Sequence, residues 1–307
     1  MRAILLRKWG NADQLTLAEI PIPSPKPNQL LVKIHCAALN PVDYKIRNGR
    51  FKWFIRKPFP LVLGLEASGT LVEAPQKRVY VYTSRTFQMG CYAEYAAVDQ
   101  DRIFELPEGI DFQAGAALAV APVTALQALR DHGQVRAGST VLINGASGSV
   151  GQCALQIALK MGANVTGVSR KTNHERLLKL GAHRVIDYQT TDFTLEEHRY
   201  DLILDCVSSR RFSECQKVLQ PNGRYVNLML RPLDLLYQKL HNLFSRQKFI
   251  TFVMDYQPAD LEWICQQLKN GNLQLPVEHL FPLEKIKEAH QKLESGRSTG
   301  KILLQLP

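Results

Sequence analysis

The sequence has no Cys-x-x-Cys pair: Cys36, Cys91, Cys153, Cys206, Cys215 and Cys265 lie far apart. That spacing excludes a zinc knuckle and offers no disulfide framework. Several of these cysteines sit in apolar runs, where a reduced thiol packs as a small hydrophobe, so a reducing compartment is expected. No apolar run approaches the roughly 20 residues needed to span a bilayer. The longest, AGAALAVAPVTALQAL, is broken by Pro122, and the opening MRAILLRKWGNADQ is too short and too charged for a secretory signal. A soluble, cytoplasmic protein is expected, peripheral to a membrane at most. Like charges never run to five in a row, and neither a zinc-finger pattern nor an aromatic-basic RNA signature is present. Nucleic acid is therefore not an expected partner, and the net charge of +10 points instead to an anionic ligand or surface.

What is present is ordinary globular material, 45% hydrophobic and 21% charged over 307 residues, a length that suggests about two domains. The first third reads as strands (RAILLR, LLVKIHCAAL, SGTLVE) bounded by the turn-rich PIPSPKPNQ, NPVDYKIRNG and FPLVLGLEASG. From about Asp111 the texture changes. QAGAALAVAPVTALQALRDHG has helical period, and then strands TVLIN, NVTGVS, RVIDY, LILDC and RYVNLM alternate with helices VGQCALQIALKMG, HERLLKLG and FSECQKVLQ. Continuous apolar strands separated by helices predict an α/β fold with a doubly wound parallel sheet covered on both faces. RPLDLLYQKLHNLFSRQKF interrupts that alternation before ITFVMD resumes as a strand, and LEKIKEAHQKLESGRSTGKILLQLP ends the chain as helix, turn and strand.

TVLIN runs into GASGSVG and then a helix. On the dinucleotide fingerprint G-x-G-x-x-G, Ala146 takes the first position, Gly148 the second and Gly151 the third, with Ser147, Ser149 and Val150 between them. The pattern asks for a tight turn, close backbone approach to a pyrophosphate and close helix–strand packing, and the helix N-terminus faces the phosphates with free N–H groups. At the end of the next strand an NAD site carries Asp or Glu to hold the ribose 2′-hydroxyl. Here Ser169, Arg170 and Lys171 stand instead, which suits a 2′-phosphate and hence NADPH; the competing reading is that the two cations open a solvated helix.

NPVDYKIRNG, GLEASG, GASGSVG and the terminal SGRSTGKILL, in that order along nearly the whole chain, resemble the medium-chain dehydrogenase/reductase superfamily. The zinc-free quinone oxidoreductase and alkenal (enone) reductase branch is the most similar. The resemblance implies a GroES-like β-rich catalytic domain over 1–115, a Rossmann NADPH domain over 116–268 and a tail over 269–307 returning to the catalytic domain. Zinc-binding relatives place Cys where Asn40 stands, His where Leu65 stands before Glu66, and Cys near Val120, so no metal is expected here. The resemblance places Asn40, Asp43 and Lys45 near nicotinamide and substrate, with Lys45 or the Tyr44 hydroxyl steadying the substrate oxygen. It also places Thr124 on the nicotinamide side, Tyr188 beside the adenosine phosphate with Ser169 and Arg170, and Arg297 and Lys301 against the cofactor or cleft. Other roles stay open: Asp43 pinning its own turn, Tyr188 packing at a strand end, Arg297 and Lys301 as surface cations. One departure is the shortened PQKRVYVYTS after SGTLVEA, which alters a loop near the substrate wall.

The implied reaction is hydride transfer from NADPH to the activated C=C of an α,β-unsaturated carbonyl or to a quinone, with the cofactor carrying the redox chemistry. The alternative is a catalytically weak NADPH sensor or interaction protein on the same fold. RFKWFIRKPF and LDLLYQKLHNLFSRQK mix cations with apolar residues, which leaves peripheral membrane association as a further expectation. Burial in a homodimer interface or over a cleft competes with it, and a homodimer through a sheet edge of the nucleotide domain is expected.

Overall fold

A computed structural model describes residues 1–55, 57–84, 88–229, 231 and 233–307. Its chain separates into one unit of Met1–Val120, Tyr256–Cys265 and Leu275–Pro307 and a second of Ala121–Asp255 and Gln266–Gln274. The alternating apolar texture of the first third becomes strands β1 (Arg2–Leu6), β2 (Leu15–Glu19), β3 (Gln29–Leu39), β4 (Leu61–Val62), β5 (Glu66–Leu71), β6 (Arg78–Tyr82), β7 (Tyr95–Asp99) and β8 (Ile103–Glu105). Helix α1 (Pro41–Arg47) follows β3, and α2 (Phe112–Ala116) follows β8. NPVDYKIRNG, expected only to bound strands, therefore contains a helix. Pro41 presets its first turn, and the Asp43 carboxylate reaches back to accept the Asn40 N–H at 2.7 Å.

The second unit begins at Ala121, within α3 (Val120–Gln127), which continues to His132 as a wider π turn, and then follows the expected alternation. Its elements are β9 (Thr140–Asn144), α4 (Ser149–Lys160), β10 (Asn164–Ser169), α5 (His174–Lys179), β11 (Arg184–Asp187), β12 (Tyr200–Asp205), α6 (Phe212–Cys215), β13 (Leu219–Asn227), α7 (Asp234–Phe244) and β14 (Lys248–Thr251). The strand expected over ITFVMD stops at Thr251. RPLDLLYQKLHNLFSRQKF supplies α7, although its Pro232 lies outside the described residues, as does Arg56 of RFKWFIRKPF. Helix α8 (Pro258–Lys269) follows, and the tail carries β15 (Val277–Pro282), α9 (Ile286–Glu294) and β16 (Lys301–Gln305).

In the second unit the strands run parallel in the order β11-β10-β9-β12-β13-β14. The order reverses between β9 and β12, which is where a doubly wound sheet opens a crevice at its carboxyl ends. The core of this sheet is Leu142, Val168, Ile203, Tyr225 and Phe249. The first unit holds a three-stranded sheet, β2-β1-β4, and a larger one, β15-β16-β3-β5-β6-β8, with β7 also on β3. Here β16 from the tail pairs with β3 (Ile302 opposite Leu39), and β3 pairs with β5 (Ala38 opposite Glu66). That register carries three distant stretches to one place. Arg47, fully buried, ties α1 to the rest of its unit through the Glu294 carboxylate at 2.6 Å and the Gly10 carbonyl.

Candidate active site

In the second unit β9 delivers the glycine loop to the reversal point. Gly145 takes a left-handed φ of 82°, and the N–H groups of Gly145 and Ala146 both donate to the Val168 carbonyl on β10. The sequence reading began the loop at Ala146, but the residue that makes the turn is Gly145. The first backbone bond within α4 is Gln152 N–H to the Gly148 carbonyl, so the amides of Ser149, Val150 and Gly151 precede the helical ladder. The Gly148 N–H donates to the Gly145 carbonyl at 3.1 Å and closes the turn, while a Cβ on Gly148 would meet nothing nearer than that oxygen at 3.5 Å, which leaves the Cα side open to a ligand. A Cβ on Gly151 would stand 2.3 Å from the same oxygen, so that glycine serves helix–strand packing. The Gln152 amide holds the Ser147 carbonyl at 2.7 Å and steadies the loop.

At the end of β10, Arg170 Nε donates to the Tyr188 hydroxyl at 2.7 Å, a pairing of residues 18 apart in sequence. Lys171 is exposed beside them. Ser169 is buried, and its hydroxyl donates to the Arg170 carbonyl, so that group is committed locally. Asp187, the carboxylate nearest in register, accepts the Gln189 N–H of its own turn. Arg170 and Tyr188 therefore present a cation and a phenol where an NAD site would present a carboxylate. Thr124 is the one partly exposed residue in the otherwise buried 121–129 stretch. Asn144 and Tyr225 both donate to the buried Asp205 carboxylate, which also accepts from the Val207 and Ser208 amides. This brace had no sequence signal beyond two polar residues, Asn144 and Asp205, closing apolar strands.

In the first unit Asn40, Asp43 and Lys301 come together with Glu66, Tyr80 and Tyr92, which sequence reasoning did not assign. The Lys301 ammonium donates to the Asn40 carbonyl oxygen at 2.6 Å and pairs with Glu66. Glu66 also accepts from Asn40 Nδ2 at 3.0 Å, the Tyr80 hydroxyl at 3.2 Å and the Val120 N–H at 3.0 Å. A buried carboxylate is tolerable because its lone pairs are taken up in this way. The sequence places Glu66 in FPLVLGLEASG, read only as a strand boundary, whereas it opens β5. Tyr44 and Lys45 lie half-buried on α1. Burial, followed by Arg50, lowers the pKa of Lys45, while burial raises that of Tyr44. Arg297 is exposed in the turn before β16.

The positions that hold zinc in metal-binding relatives carry Asn40, Leu65 and Val120, which supply neither thiolate nor imidazole. The adjoining Glu66 is already saturated by the donors named above, and the Lys301 ammonium places a positive charge where a cation would have to sit. The donor set does not fit zinc. Among the described residues no group of three His, Cys, Asp or Glu side chains has metal-site geometry.

Burial pushes the Asp43 carboxyl up to about 7, against the opposing pull of the Asn40 N–H, the Tyr92 hydroxyl and Lys301; nearby Glu66 adds to the rise. An unfolded aspartate titrates near pH ~4, so folding takes up a proton between the two values. The stabilising contribution is complete below the unfolded pKa and is lost as pH climbs through the folded one. The unfolding free energy of the wild type, read from urea denaturation, should fall across that window by at most about 1.4 kcal/mol per pH unit from this group. Asp43→Asn should flatten the dependence; an unchanged profile would assign the titration elsewhere.

Comparison with known proteins places these features in context. A profile for an alcohol dehydrogenase GroES-like domain matches residues 26–108, and one described as zinc-binding dehydrogenase matches residues 180–304. The quinone oxidoreductase of Homo sapiens is 31% identical, with 100% of this chain and 98% of that protein covered. A chloroplast envelope quinone oxidoreductase homolog of Arabidopsis thaliana is 28% identical over 96% of this chain and 95% of its own length. The solved structure of the quinone oxidoreductase from Coxiella burnetii superposes with a TM-score of 0.93 at 28% identity, covering 100% of this chain and 99% of that one.

Proposed function

The chain belongs to the quinone oxidoreductase branch of the medium-chain dehydrogenase/reductase superfamily, and on that premise we propose that it is an NADPH-dependent, metal-independent reductase of α,β-unsaturated carbonyls or quinones. Membership makes it an oxidoreductase with a nicotinamide cofactor and a small-molecule substrate. The observation that carries the finer reading is Arg170 paired to Tyr188 at the end of β10, with the Asp187 carboxylate accepting the Gln189 N–H of its own turn. A guanidinium held by a phenol suits the dianionic 2′-phosphate of NADPH, and Lys171 adds a second cation.

When bound, the nicotinamide supplies the hydride. Residues Ala146–Gly151 would hold the pyrophosphate beside the open Cα side of Gly148, on the first-turn amides of Ser149, Val150 and Gly151. Thr124 would contact the nicotinamide. Hydride arriving at the β-carbon of an enone leaves negative charge on the oxygen, and the Lys45 ammonium or the Tyr44 hydroxyl would meet that charge by donation. The lowered pKa of Lys45 makes its proton easier to give. Asn40, Asp43 and Lys301 are committed to one another's network and would act as positioning residues. That closed network also favours a second reading, a protein that binds NADPH but turns over slowly.

Fluorescence titration with NADPH and NADH tests the proposal. Arg170→Ala should weaken NADPH roughly tenfold or more, the loss of a charge-assisted bond, and leave NADH unchanged. If neither nucleotide binds the wild type, the reading fails. Turnover of simple enones and quinones then separates the reductase from the slow binder.

A further inference from the structure

Helix α7 is mounted with its polar face inward. Gln238 accepts the Thr251 N–H at 2.7 Å, and Asn242 both accepts the Phe249 N–H at 3.0 Å and donates to the Phe249 carbonyl at 2.8 Å. His241 bonds the Gln247 carbonyl at 3.1 Å. These side chains satisfy the outer backbone groups of β14, the edge strand of the six-stranded sheet. A sheet edge is normally a template for another strand; here the helix has closed it. The opposite face of α7 consequently carries Leu236, Leu240, Leu243 and Phe244 into solvent, with Leu243 at 74% and Phe244 at 91% exposure, and Leu233 just before the helix is exposed as well. A contiguous apolar strip of this kind on a folded protein marks an interaction surface.

Its surroundings select the partner. Lys239 stands within the strip and Arg246 just beyond it, both exposed. Arg231 precedes the helix, and the α6 segment, whose Phe212 packs on Tyr237 and His241, contributes exposed Arg211 and Lys217. The carboxylates of these segments are turned onto backbone caps, Asp234 on the Arg231 N–H and Glu214 on the Arg211 N–H. The result is an apolar strip bordered by cations, on a chain of net charge +10. A second copy applied about a two-fold axis would set these cations against their own equivalents, which is repulsive. It would also find the β14 edge already occupied. A surface that offers hydrocarbon beneath a layer of negative charge satisfies both components at once.

We propose that the outer face of α7 docks onto an anionic lipid surface, with Leu236, Leu240, Leu243 and Phe244 entering the headgroup–acyl boundary and the bordering cations meeting the headgroups. This inference is independent of the nucleotide and substrate assignments.

The full-length protein is mixed with vesicles of phosphatidylcholine alone, or of phosphatidylcholine with phosphatidylserine, and the bound fraction is read by flotation at low and high salt. Binding is expected on the anionic vesicles only and should decline with salt. Replacing the four apolar residues together (Leu236→Gln, Leu240→Gln, Leu243→Gln, Phe244→Gln) should abolish it with the thermal midpoint unchanged, since these side chains are exposed. Lys239→Gln with Arg246→Gln, which leaves the apolar strip intact, should lower the partition coefficient about fivefold for each cation removed. Absence of binding to anionic vesicles, or binding indifferent to both variants, overturns the proposal. So does lipid-free self-association in the ultracentrifuge that the four-residue variant abolishes, which would assign the face to a second copy.

Discussion

Replacing Lys301 with methionine is expected to destabilise the protein by about 3–5 kcal/mol, because it leaves the Glu66 carboxylate buried without its counter-charge. Glu66 is completely buried and the Lys301 side chain is 4% exposed, so solvent cannot take over from the lost ammonium. Asn40 loses a bond at the same time, because its carbonyl oxygen accepts from the Lys301 ammonium. The companion change Glu66→Gln should restore most of the loss: a neutral amide still accepts the Val120 N–H and bonds the Tyr80 hydroxyl, and no charge is left stranded. Chemical denaturation of the two single variants and the double variant closes a mutant cycle. Additive losses in the double variant would mean that the pair is not coupled and that the packing of Lys301's methylenes carries the effect.

Gly151→Val should strike both stability and nucleotide binding. Its Cβ would lie 2.3 Å from the Gly145 carbonyl and 2.7 Å from Ala146 Cα, both backbone atoms that cannot swing aside as a flexible side chain would. Relief requires α4 to move away from the turn, costing about 1–3 kcal/mol or more. The same movement displaces the first-turn amides, and nucleotide affinity should fall about a hundredfold if some 3 kcal/mol of binding is lost with them. Gly148→Ala is the informative contrast. Gly148 has an ordinary φ of −76° and room for a Cβ, so folding should change by no more than about 0.5 kcal/mol while the added methyl obstructs the ligand's approach. Denaturation and NADPH titration of both variants test this division. Equal affinity losses without any stability loss at Gly151 would remove the packing argument.

The second unit was legible because its signals are local. Strand, glycine turn and helix lie within a single run, and the residues after Ser169 declare the charge offered at the end of β10. Arg170 and Tyr188 meet because β10 and β11 are neighbours in the parallel sheet, with Ser169 in register with Asp187. Even α1, passed over as a turn, was encoded locally: Asn40, Pro41 and Asp43 stand at the N-cap, first and third helical positions. Proline and asparagine favour turns as readily as helix starts, and without the packed context the shorter-range reading prevailed.

Sequence alone thus determined the α/β alternation, the glycine loop, the basic end of β10 and the amphipathic character of α7, each set by the order of neighbouring residues. Tertiary structure decided where Glu66 and Lys301 find their counter-charges and which face of α7 turns outward. Glu66, Lys301 and Asn40 belong to segments far apart in the chain, and they meet only through the pairing of β16 with β3 and of β3 with β5. A helix of two faces can bury either one. Here the unpaired N–H and C=O groups of β14 demanded hydrogen bonds, so the polar face went inward and the leucines were left outside.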